Sequence, residues 1–344
     1  MLRFPGWGVL LVTLAGPSGV GAAPDEAGRS TRPRLSPEAL DARMDRIAND
    51  TIERMIGAEA VPQLPYADDL AAQRAAFPKA RFEEVVVGSS GLKLEAWMVK
   101  PPDGTEVRGT VLLLHPWQSN RAWALGQFGF LLDHGYQLFI PDARSNLFIN
   151  NADAFNAYIR EDLSDLSRFM DHLKGRSDVG PLAVYGCAWG GLKGILLASQ
   201  ESDIKAVISD AGTLHYGLIL VDFMNKMPPY ARNDWDIINQ FLAKVTSKLK
   251  DRMGYDIETY DPRTAVRKLS PRPVMIVHSE DDTFVPLRVS EDIFAAAREP
   301  KTFLRGERFG HCEGMKKDPG RYIAQVVVFL ERSLPRPDAP TTNR

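Results

Sequence analysis

From Arg81 onward, short runs rich in aliphatic and β-branched residues alternate with segments of helical periodicity, and this alternation constrains the fold more than any other feature of the chain. The runs are Phe82 to Val87, Leu92 to Val99, Thr110 to Leu114, Gln137 to Ile140, Leu182 to Tyr185, Ala206 to Ser209, Val274 to Val277 and Thr302 to Phe309. Inner runs such as Val111-Leu112-Leu113-Leu114 and Val274-Met275-Ile276-Val277 are continuously apolar, as parallel strands covered on both faces must be. Helical patterns fall between them at about Ala122 to Leu132, Ala154 to Leu173, Leu192 to Gln200, Val289 to Ala297 and Pro319 to Leu334. Such alternation predicts an α/β class protein with a mostly parallel, doubly wound, eight-stranded sheet and helices on both faces.

Two segments stand outside the pattern. Ser36, followed by Pro37 and Glu38, opens a helix running to about Ile56, so residues 24–80 read as an N-terminal helical extension. Between Gly212 and Pro271 the periodicity is helical, including Trp235 to Leu249, with no convincing strand, and its place after a strand end predicts a helical cap over 212–271. The first residues, Met-Leu-Arg, an apolar stretch from Phe4 to Val20 and then Gly21-Ala22-Ala23, have the order of a secretory signal peptide over residues 1–23. That predicts a secreted or periplasmic protein. Gly6, Gly8, Gly16, Pro17 and Gly19 interrupt a segment already shorter than a span needs, and no later stretch is long enough, so no membrane span is expected in the mature chain. The Pro-rich residues 335–344 read as a flexible tail.

Charge narrows the partners. Lys and Arg total 42 against 44 Asp and Glu, a formal net charge of −2, so no basic excess points to nucleic acid or an anionic membrane. A small organic ligand fits better. The segment Gly190-Gly191-Leu192-Lys193-Gly194 is no phosphate loop, because it lies inside a helix, and neither a dinucleotide fingerprint nor a metal-ligand cluster is present. No cofactor and no metal are expected.

The chemistry concentrates in Tyr185-Gly186-Cys187-Ala188-Trp189-Gly190, a strand running into a helix with the glycine spacing of the nucleophile elbow. Here, over about Arg81 to Leu334, the chain resembles the α/β-hydrolase superfamily. In His278-Ser279-Glu280-Asp281-Asp282-Thr283-Phe284-Val285-Pro286 the resemblance implies that Asp282 is the acid that orients the catalytic imidazole. Gly310-His311 ahead of a C-terminal helix resembles the superfamily's histidine loop, which implies that His311 is the base. The chain order of nucleophile, acid and histidine is the hydrolase order.

The nucleophile position itself is Ala188, where the superfamily has Ser, Cys or Asp, and a methyl group cannot attack a carbonyl. A deliberate replacement, a natural loss and a displaced nucleophile are all consistent with this residue. Cys187 stands one position early, and Ser119, close to the predicted cleft, is the only hydroxyl that suggests a displaced nucleophile. Only two cysteines exist, and Cys187-Ala188, Asp282 and His311-Cys312 are similar to the CS-D-HC pattern of tannases and feruloyl esterases. That resemblance implies a Cys187–Cys312 disulfide; two separate buried thiols are the alternative. The oxyanion donors implied by the superfamily are the backbone N–H of Trp189 and, because Pro116 has none, that of Trp117. Both indoles can also be ordinary packing groups, and His115 is expected to bond nearby backbone.

The chain therefore reads as a secreted hydrolase of the carboxylic-ester type, serine-esterase-like in its site, acting on a small-molecule ester-like substrate and inactive as written. A non-catalytic ligand-binding pseudoenzyme, or a peptidase or thioesterase of the same fold, is the competing reading.

Overall fold

The computed structural model describes residues 34–56, 66–89, 91–117, 119–144, 159–232 and 234–334. The signal-peptide and tail segments lie outside these residues, as does the start of the helix expected from Ala154. The described residues divide into two units between Leu40 and Asp41. Ser36 caps the helix α1 (Pro37–Ile56) as its sequence implies, accepting from Ala39 N–H at 3.2 Å.

All eight expected strands form: β1 (Arg81–Ser89), β2 (Leu92–Lys100), β3 (Gly109–Leu114), β4 (Tyr136–Pro141), β5 (Leu182–Cys187), β6 (Ile204–Asp210), β7 (Val274–Ser279) and β8 (Lys301–Gly306). They make one sheet in the order β1-β2-β4-β3-β5-β6-β7-β8. β1, β2 and β4 pair antiparallel, and every pairing from β4 through β8 is parallel. Every residue of β3, β4, β5 and β7 is buried, which is why these runs show no polar alternation, whereas the edge strands β1 and β8 alternate. The last run ends earlier than Phe309, because the chain leaves the sheet after Gly306 and the Phe309 N–H turns to Ser279 Oγ at 2.7 Å.

The helices are α2 (Tyr66–Ala76), α3 (Arg121–Phe128), α4 (Ile159–Lys174), α5 (Trp189–Gln200), α6 (Gly217–Lys226), α7 (Pro229–Arg232), α8 (Trp235–Met253), α9 (Pro262–Val266), α10 (Leu287–Ala296), α11 (Gly314–Lys317) and α12 (Pro319–Ser333). Caps fix their ends: Asn120 Oδ1 accepts from Trp123 N at the start of α3, and Asp234 Oδ1 accepts from Asp236 and Ile237 N at the start of α8. The helix expected through Leu132 tightens after Phe128 into a 3-10 turn that ends on Gly135 with φ 82°. The described elements between Gly212 and Pro271 are helices, without a strand. No described helix is long and apolar enough to cross a membrane.

From residue 41 onward, α1 runs parallel to α8 with four-residue periodicity. Lys244 binds Asp41 and Asp45, Lys248 binds Asp45 and Asn49, and Arg252 binds Glu53. Met44, Ile47, Ala48 and Ile52 form the buried stripe of α1. The part of the N-terminal extension from residue 41 is thus fastened to the longest helix of the 212–271 insertion.

Candidate active site

The carboxyl ends of the inner strands converge, as they do in open parallel sheets that bind ligands there. At the end of β5, Gly186 and Gly190 are required by contact: a Cβ on Gly186 would lie 2.1 Å from the Gly190 carbonyl oxygen, and one on Gly190 would lie 2.1 Å from that of Leu114. Between them Ala188 adopts φ 49°, ψ −112°, a conformation alanine avoids. Among the described residues, the non-glycine positions with positive φ are Ala188, Ala211 and Cys312, at the ends of β5 and β6 and in the loop after β8. Backbone strain is therefore concentrated at one end of the sheet.

Two cysteines join this end together. Cys187 and Cys312 form a disulfide with Cα atoms 6.2 Å apart, inside the range the bond requires. Ala188 and His311 each adjoin a bridged residue. His311 Nδ1 lies 2.8 Å from Asp282 Oδ2, and the carboxylate's other oxygen accepts from the N–H groups of Phe284 at 2.8 Å and Val285 at 3.0 Å. Burial resists ionisation of Asp282, but the His311 bond and the two backbone donors outweigh it and hold the carboxyl below its usual range. An ionised Asp282 fixes the proton on His311 Nδ1 and leaves Nε2 with the lone pair a general base needs.

Neighbouring groups keep that pair in place. Asp281 Oδ1 accepts from Gly310 N at 2.7 Å, and Ser279 Oγ donates to the same carboxylate, so the acid loop clamps the backbone leading into His311. His278 is buried and lies 3.0 Å from the Val285 carbonyl through Nε2 and 2.7 Å from Ser290 Oγ through Nδ1. A carbonyl only accepts, so Nε2 carries the proton. Burial pushes the His278 pKa down, consistent with a neutral ring that supports the acid loop.

Sequence reasoning missed Asp210, the last residue of β6. It stands opposite Cys187 in the β5–β6 register, its carbonyl accepts the Ala188 N–H at 2.9 Å, and its buried carboxyl accepts a hydrogen bond from Tyr322, which is itself bonded to Tyr185. Burial pushes Asp210 up to about 7, against the pull of the Tyr322 hydrogen bond. The only sequence signal was a carboxylate ending an apolar strand.

Trp189 begins α5 with its indole buried, and packs edge-to-face on Trp117 at 5.9 Å between ring centroids. The elbow lies against the end of β3 and the following loop, since a Cβ on Gly190 would also come within 2.8 Å of the His115 carbonyl oxygen. His115 has the local role expected of it: Nδ1 lies 2.9 Å from the Pro116 carbonyl, and Nε2 accepts from Ala143 N at 3.1 Å. Burial drives its pKa down to about 3. Ser119 is buried immediately before the Asn120 cap. Lys193 lies within α5, buried and 3.1 Å from Asp162. That pairing accounts for its charge without an anionic ligand.

Solved structures decide the fold. An esterase of Pyrococcus furiosus superposes with a TM-score of 0.56 over 80% of this chain and 96% of its own, at 17% identity. The α/β hydrolase GrgF of Penicillium sp. sh18 gives 0.54 over 74% of this chain and 99% of its own, at 16% identity. The chain has the α/β-hydrolase fold. In sequence, the chain is 23% identical over 250 residues to the uncharacterized protein YqkD of Bacillus subtilis, covering 72% of this chain and 78% of that one. No family model matches it.

Proposed function

We propose that this protein is an exported α/β hydrolase of the carboxylic-ester type in which Ala188 occupies the nucleophile position, so that it captures an ester-like small molecule without forming an acyl-enzyme. The observation that carries the proposal is the combination of a strained elbow at Ala188 with an Asp282–His311 pair whose acid is fully hydrogen-bonded. Strain of this kind is worth about 1–3 kcal/mol, and a chain that needed the elbow only for packing would gain by relaxing it. Export is supported by the leader-like first 23 residues and by a disulfide that an oxidising compartment preserves.

A serine at this position would attack the ester carbonyl while its proton passes to His311 Nε2. The carbonyl oxygen would take up the negative charge against the N–H groups of Trp189 and Trp117, and the proton would leave with the alcohol. Water then repeats the sequence to release the acid. Ala188→Ser is expected to gain labelling by a fluorophosphonate probe and a burst with small activated esters, whereas the protein as it stands shows neither at residue 188. An inert serine variant with an intact fold would refute the ester-hydrolase reading. Parallel assays with activated amides and thioesters separate the peptidase and thioesterase readings.

The insertion at 212–271 is proposed to set substrate choice. Exchanging it in the Ala188→Ser background should change the preference among short, long and aromatic esters, and an unchanged profile would reject the cap role.

A further inference from the structure

Tyr322 stands buried in the first turn of α12, and the histidine loop lies on its ring. Phe309, two residues before His311, packs edge-to-face on that ring with centroids 5.8 Å apart, and at Gly314, three residues after His311, a Cβ would come within 2.4 Å of it. The chain on both sides of His311 therefore rests on one side chain. The hydroxyl at the end of the ring donates to Asp210 Oδ2, and Asp210 reaches the elbow: its carbonyl accepts the Ala188 N–H at 2.9 Å and lies 3.7 Å from Cys312 Sγ. Since the one proton of Tyr322 goes to Asp210, the bond between the two phenols is donated by Tyr185. Burial, and after it the charge of Asp210, pushes both phenols well above their usual range, so each keeps the proton it donates.

We infer that Tyr322 is a positioning residue that braces the histidine loop against the elbow through Asp210, and so sets where His311 stands relative to residue 188. Its bearing on catalysis rests on the ester-hydrolase reading proposed above. The disulfide joins the same two segments, but it holds the loop at position 312 alone, whereas Tyr322 supports it at 309 and 314. A link at one residue leaves the loop free to turn about it; support on both sides removes that freedom. Proton transfer needs the imidazole within hydrogen-bond reach of the nucleophile, and a misplacement of about 1 Å can cost on the order of 10²-fold in rate. The hydroxyl matters as much as the ring, because a phenylalanine would keep the packing and leave a buried carboxyl without its donor.

The test combines amide hydrogen exchange with kinetics. In the protein as it exists, Tyr322→Phe should make the amides of Phe309, Gly310 and Ala188 exchange about tenfold faster while the strands β2, β3 and β4 stay unchanged. Tyr185→Phe deletes the other phenol's hydroxyl but not the bond to Asp210, and should move these amides much less. In the Ala188→Ser background Tyr322→Phe should lower kcat for p-nitrophenyl acetate about tenfold with little change in KM. Asp210→Ala should reproduce that loss and Asp210→Asn, which keeps an acceptor for the Tyr322 hydroxyl, should recover most of it; if the alanine variant does not fold, the Tyr322→Phe and Asp210→Asn comparison still decides. Unchanged exchange at the three amides, a uniform rise across the sheet, or an equal loss of kcat in Tyr185→Phe overturns the brace. Faster exchange confined to the three amides, beside a serine variant inert toward every ester, overturns the ester reading and leaves the brace standing.

Discussion

Cys187 and Cys312 are separated by 125 positions in the chain and by 6.2 Å between Cα atoms in the fold, and their disulfide joins the residue before Ala188 to the residue after His311. The bond therefore spans the two positions a hydrolase must hold in contact. For a loop of this length the entropic contribution of a cross-link is about 4–5 kcal/mol, and Cys187→Ser with Cys312→Ser should lose most of it in urea unfolding. In the Ala188→Ser background the same pair of substitutions should reduce kcat more than it raises KM, because the imidazole loses one of its anchors. Retention of full stability by the double variant would show that the other contacts of the histidine loop suffice.

The acid is expected to act through orientation. Asp282→Asn in the Ala188→Ser protein keeps the shape but leaves the imidazole without an anionic partner, and should lower kcat by about 10³–10⁴-fold. Steady-state kinetics on an activated ester give the number, and a loss below tenfold would remove Asp282 from the site.

Asp210 should make stability depend on pH. Its pKa in the folded protein is raised to about 7, so folding favours the protonated carboxyl. Its contribution is complete below the ordinary carboxyl range and is lost as pH rises through about 7. Asp210→Asn should flatten the decline between about pH 4 and 7 relative to the parent, as urea titrations across that window would register. Parallel pH curves for the two proteins would rule out a protonated Asp210.

The strain at Ala188 can be measured directly. Glycine accepts φ 49° at little steric cost, so Ala188→Gly should raise stability by about 1 kcal/mol, offset in part by the greater freedom of the unfolded chain. A lower melting temperature in the glycine variant would mean that the methyl group's packing outweighs the backbone relief.

The sheet was legible in the sequence because burial on both faces leaves continuous apolar runs, and β3, β5 and β7 begin within a residue of where those runs do. The Asp282–His311 contact was legible through motif spacing, and the Cys187–Cys312 bond through the resemblance to the tannase pattern, which left two buried thiols as the alternative. Helix α2 was not, since YADDLAAQRAA has no apolar stripe, and Leu70 packs against the core from it. Asp210 and Tyr322 were hidden for a different reason. They meet across 112 positions, and neither has a local pattern that marks a hydrogen-bonded partner. Phe284 looked like one more apolar loop residue until its ring was placed beside His311.

The wide spacing of the cysteines also bears on how the protein matures. If the chain crosses a membrane from its N-terminus, Cys187 reaches the oxidising side first and stays a free thiol until another 125 residues have followed. With two cysteines in all, no wrong intramolecular partner exists, so oxidation can err only between molecules. On that route the chain would be most vulnerable to cross-linked dimers during that interval, before the bond beside His311 can close.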